Sequence, residues 1–170
     1  RYAPPPPPVS EGRGDFAGCP SRLRALREAH PDPFLARHVD ALALAQQDDA
    51  AAGLLFRRLD EENPGQAVAR LGMALARARE GGGSDAVQGL SADLLAWARR
   101  DHFWSLLVAQ VYALARHPVE ALDWLEHAVN AGFINHPFLT RDRLLDPVRG
   151  TERFAWLMER VEREWEAFEA

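Results

Sequence analysis

The chain has 170 residues, 47% hydrophobic and 26% charged, which is enough for one domain with a real core and too apolar for disorder over most of its length. Twenty basic residues, all arginine, face 25 acids for a net charge of −5, a balance that disfavours nonspecific binding to nucleic acid or an anionic membrane. The single cysteine, Cys19, excludes an internal disulfide and any multi-cysteine zinc site, and it fits a reducing, cytoplasmic setting.

The first residue is Arg1, with no charged-then-apolar leader behind it, so the sequence reads as a piece of a longer protein. Pro4 to Pro8 favour extended polyproline II, and residues 1–20 read as a proline-rich linker, with docking to a proline-reading domain as the alternative. Ser21 is an N-cap candidate for a short helix that Pro31 closes. Asp32 caps a helix with Pro33 in its first turn, and the segment from Ala50 to Asn63 forms its return. A third helix follows Asn63-Pro64 and ends at Gly81–Gly83, which reads as a hairpin loop. Ser84 caps a helix running to Arg100, Asp101 separates it from the next, and Pro118 opens "VEALDWLEHAVNA". Gly132 followed by Phe133 predicts a left-handed C-terminal cap. Nothing alternates with period two, and no apolar run approaches bilayer length. The class is all-α, built of paired helices.

"LLVAQVYALARHPVEALDWLEHAVNAG" resembles a tetratricopeptide repeat, with Ala109, Tyr112, Ala121, Leu125 and Ala128 in the matching places. Leu71-Gly72 supplies the motif's Leu-Gly pair 37 positions before Ala109, and Ala52 and Phe56 mark an earlier unit in which Asp40 replaces a small residue. The resemblance implies a right-handed α-α superhelix of about three hairpins, over residues 33–64, 65–100 and 102–132. Residues 132–169 resemble the closing segment of such arrays in large bacterial signalling proteins, among them serine/threonine kinases, adenylate cyclases and winged-helix regulators. The residues that carry this are Gly132-Phe133, Pro137-Phe138-Leu139, Leu144-Leu145-Asp146-Pro147, Arg149-Gly150, Arg153-Phe154 and Trp165. Residues 133–150 are then a closing loop whose Phe138, Leu139, Leu144 and Leu145 plug the concave surface or the end of the stack. Residues 151–169 form a capping helix with Phe154, Leu157, Met158, Val161, Trp165 and Phe168 in one stripe.

The resemblance also implies a non-catalytic protein-interaction module, with self-association or regulation of the parent protein as the rival. Its groove would be lined by the first helix of each hairpin: Arg37, Ala41, Ala69, Arg70, Met73, Arg77, Leu106, Gln110 and Leu114. Arg37, Arg70 and Arg77 would grip an acidic peptide by bidentate hydrogen bonds. No cofactor, metal or catalytic role is expected. The six histidines lack paired-ligand spacing, Cys19 has no nearby base, and Gly81–Gly83 follows no strand. The five tryptophans read as core residues.

Overall fold

In the computed structural model, which describes residues 33–169, the ordered elements are helices, with no strand among the described residues. The linker expected over residues 1–20, the helix expected from Ser21 and the Asp32 cap lie outside the described residues. Helices α1 (Pro33–Gln46) and α2 (Ala51–Glu62) pack on each other across a short turn. Helix α3 (Ala67–Arg79) packs on α2, then on α4 (Gly83–Gln88) and α5 (Ala92–Ala98). Helices α6 (His102–Leu114) and α7 (Pro118–Asn130) form the most extensive pair. Sideways, α1 touches α3 and α3 touches α6. The remainder is short pieces and one long helix: α8 (His136–Leu139), a 3-10 turn (Arg143–Leu145), α9 (Asp146–Arg149) and α10 (Glu152–Glu169).

Local chemistry sets these boundaries. The Asp101 carboxylate accepts from the N–H groups of Phe103 and Trp104, capping α6, and Pro118 occupies the first turn of α7. At the other ends one motif recurs. Asp48, Gly81, Arg116 and Gly132 all have positive φ, and the next residue's N–H reaches back five positions: Asp49 to Leu44, Gly82 to Arg77, His117 to Tyr112 and Phe133 to Ala128. These bonds satisfy carbonyls that the helix leaves open, with the left-handed residue reversing the chain.

Two expectations need correction. The helix expected from Ser84 to Arg100 is broken at Gly89–Ser91, where Ser91 turns extended and starts α5, and Ser84 caps nothing. The glycine run is also more than a loop. Gly83 begins α4, and a β-carbon on it would stand 3.2 Å from the α-carbon and carbonyl oxygen of Ala115 at the end of α6. The missing side chain lets two helix ends meet.

The core runs through all the hairpins: Phe56, Leu71, Leu75, Leu106, Leu107 and Leu125 are fully buried. Gly72 is the closest approach. A β-carbon there would lie 2.6 Å from the Phe56 ring and 3.0 Å from His38, so the bare helix face of α3 is what these rings rest on. On α10, Phe154, Leu157, Met158 and Val161 are buried against the body, and Trp165 is half-buried. Trp156 departs from the core expectation: it lies on the opposite, outer face of the helix and is 52% exposed.

Gly72→Ala should cost about 1–3 kcal/mol, because a fully buried ring must move to admit a methyl group. Gly53→Ala would meet the exposed tip of Glu80 and the Arg57 guanidinium paired with it, a surface ion pair that can shift, and should change stability by less than about 1 kcal/mol. Phe154→Ala should cost about 3–5 kcal/mol and Glu159→Ala almost nothing. Urea unfolding of the four variants side by side checks the ranking.

Candidate functional site

The face shared by the first helices is the place where the sequence put a groove. The closing segment sits against it. Its 3-10 turn packs on both α6 and α1, burying Leu139, Leu144, Leu145 and the neighbouring Val148, while Phe138 is half-buried. At the centre is Asp142, a fully buried carboxylate. The Gln46 amide at the end of α1 donates to its Oδ1 at 2.7 Å, and the Gln110 amide in the middle of α6 donates to its Oδ2 at 2.6 Å. The Leu144 N–H adds a third bond at 3.0 Å, and Arg149 donates to the carbonyls of Thr140 and Asp142.

Burial pushes the Asp142 carboxyl above the ordinary carboxylate range, while the two glutamines, the Leu144 N–H and the charge of Arg149 pull the other way. Three donors on one carboxylate satisfy most of what leaving water removes. Neither Gln46 nor Asp142 stood out in the sequence. The available signal was an Asp between Arg141 and Arg143, two residues before Leu144-Leu145.

This arrangement revises the expected lining. Ala41, Ala69, Leu106 and Gln110 are buried, Leu106 and Gln110 on the helix that carries the closing segment, and none of them is open to a partner in this state. Met73 and Leu114 are half-buried. The three arginines do not converge on the groove centre. Arg37 pairs with Glu62 of α2 at 2.5 Å and holds that carboxyl below its usual range. Arg70 pairs with Asp93 at 2.8 Å and with Ser91, and together they hold the Asp93 carboxyl well below the usual carboxylate range. Arg77 is exposed, with its guanidinium near Gly89, 3.5 Å from where a β-carbon would stand. The carboxylate in this structure is gripped by glutamines instead.

Next to this site is a second buried polar group. His38 of α1 is fully buried, and neither ring nitrogen has a hydrogen-bond partner. Its ring stands edge-on to Phe56 at 5.4 Å and to Trp104 of α6 at 5.8 Å. Burial lowers its pKa to about 4, so it is neutral near pH 7. Gly72 makes this possible: with no side chain on α3 at that point, α1 reaches across to α6.

Among the described residues no group of three or more His, Cys, Asp and Glu side chains is arranged to hold a metal ion, and no helix is long and apolar enough to cross a membrane. No protein-family model matches the sequence, and neither a curated protein nor a solved structure matches it.

Two predictions follow from these buried groups. Asp142→Ala should cost about 3–5 kcal/mol, because it strands the buried Gln110 amide. In a double-mutant cycle with Gln46→Ala the two losses should be non-additive by about 1–3 kcal/mol, as groups sharing one bond require. For His38, the folded pKa lies below the unfolded value near 6.5. Its contribution is therefore complete above that value and is lost as pH falls toward 4, a total of roughly 3 kcal/mol. Asp142, with its raised pKa, responds in the opposite sense, losing stability as pH rises through its folded value. Comparison with His38→Leu isolates the histidine: wild type should lose stability relative to the variant steadily from pH 6.5 to 4 in denaturant titrations. A pH-independent difference would contradict the buried neutral imidazole.

Proposed function

We propose that the chain is a non-catalytic protein-interaction module of the tetratricopeptide kind, a right-handed helical superhelix whose last segment closes it, within a larger bacterial signalling or regulatory protein. The observation that carries this reading is the recurrence of the left-handed cap. It ends α1 at Asp48, α3 at Gly81 and α6 at Arg116, at intervals of 33 and 35 residues, close to the repeat length of about 34. The small residues of the resemblance support it too: Gly72, Ala109, Ala121 and Ala128 are all buried where helices meet. The partner is a protein segment, not a nucleic acid, and it lies along the part of the first-helix face that the closing segment leaves open, over Met73, Leu114 and the flanking Arg70 and Arg77. An acidic segment suits the arginines, though Arg70 must exchange Asp93 for it.

A photo-crosslinking residue at Met73 or Leu114, in the full chain inside cells, should capture a discrete protein. The same residue at Glu159 on the outer face of α10 should not. Arg70→Ala with Arg77→Ala should weaken capture and leave the melting temperature within a degree or two, because exposed ion pairs contribute little. Equal capture from all positions would remove the groove from consideration.

A second reading is favoured by Trp156 at 52% and Phe168 at 74% exposure on α10: self-association through that helix. Sedimentation equilibrium distinguishes the two, since a dimer that Trp156→Glu abolishes supports the second.

A further inference from the structure

The junction of α5 and α6 carries aromatic rings that the groove does not use. Trp97 and Trp104 stand 5.2 Å apart with their planes tilted by 34°, and Phe103 stands 5.0 Å from Trp104, edge-on. All three are half-buried: their inner edges pack on the core and the remainder meets solvent. Three rings in consecutive contact, each with a wet edge, make a ladder.

We propose that this ladder is the docking site for the chain's own proline run, Pro4–Pro8. Five successive prolines favour polyproline II, with three residues per turn and a rise of about 3.1 Å per residue, so positions i and i+3 present the same face about 9 Å apart. Two ring-to-ring steps along the ladder span at most about 10 Å, which suits the way aromatic surfaces read such helices: prolines pack across the exposed edges of neighbouring rings, and little conformational entropy remains to be lost. A wet aromatic surface favours a ligand that is apolar yet carries exposed carbonyls, and a proline run is both.

The placement of α1 adds the second argument. His38, in the first half of α1, touches Trp104, so the end of the molecule at which the chain enters α1 is also the end that carries the ladder. The 24 residues between Pro8 and Pro33 could reach about 80 Å if fully extended, far more than this geometry asks. A tether of that length holds the run near the ladder at an effective concentration of the order of millimolar, enough to fill a weak site. The occupant is thus this chain's own segment, bound within the same molecule.

The test uses the full chain and a variant with all five prolines replaced by serine, a change outside the described residues. Both are followed by the indole N–H resonances of the five tryptophans. Replacing the prolines should shift Trp97 and Trp104 and leave Trp124, Trp156 and Trp165 in place. A synthetic peptide of residues 1–10, RYAPPPPPVS, added to the variant should return those two signals toward their wild-type positions, and the wild type should need at least tenfold more peptide for any response. Unchanged indoles in the variant together with an inert peptide would overturn the proposal. A peptide that titrates wild type and variant alike would also overturn it, assigning the ladder to a second copy or to a foreign proline-rich protein.

Discussion

The Asp142 carboxylate is the constraint on which the arrangement depends. It is bonded on one side to Gln46, ninety-six residues earlier, and on the other to Gln110, so one ionisable side chain sets the spacing between the first hairpin and the third. A carboxylate is well suited to this, because its two oxygens accept from opposite sides. It is also costly, since an unsatisfied charge in that position would be worse than a hydrocarbon. The surrounding leucines and Val148 exclude water, and the hydrogen bonds then decide where the segment sits. Apolar burial supplies the attraction here, and the polar contacts supply the register.

The same division appears at Gly72. The rings of Phe56, His38 and Trp104 converge because one helix offers no side chain there. A larger residue would part α1 from α6 and with them the two glutamines that hold Asp142. His38 is the anomaly in this cluster. A hydrocarbon of its size would fill the space without unpartnered nitrogens, and burial keeps the ring uncharged under neutral conditions. Its edge-on contacts with two aromatic faces are the only compensation visible among the described residues.

Much of this was legible in the sequence. The Gly132 cap, the proline at the start of α7 and the stripe on α10 from Phe154 to Val161 act locally, and the chain folded as they implied, whereas Phe168 at the end of that stripe is exposed and Asp101, read only as a break, caps α6. The break at Gly89–Ser91 was not, because the apolar pattern runs through it unbroken and only the backbone's turn to an extended conformation at Ser91 ends the helix. The expected groove was the least legible part. Arg37, Arg70 and Arg77 are on first helices as anticipated, but the direction of a long side chain is settled by its nearest acid, and Glu62 and Asp93 come from the second helices. Trp156 illustrates the limit of composition: tryptophan is usually inside, and its position among Glu152, Glu159 and Arg163 on the helix wheel outweighs that tendency. No local rule could find the Gln46–Asp142 pair, since each member looks like an ordinary polar residue until α1 and the closing segment meet.

That meeting has a consequence for how the chain comes to fold. Stacks in which each hairpin touches only the next can form from one end, a unit at a time, and their parts melt semi-independently. Here the first hairpin makes contacts that exist only once residue 142 has been synthesised and positioned. Closing so long a loop is entropically slow, and its reward arrives late. On the ribosome, α1, α2 and α3 can pack on one another early, but the polar end of α1 stays hydrated until residue 142 emerges. That late contact then couples the first hairpin to the closing segment, so that unfolding of one is felt by the other.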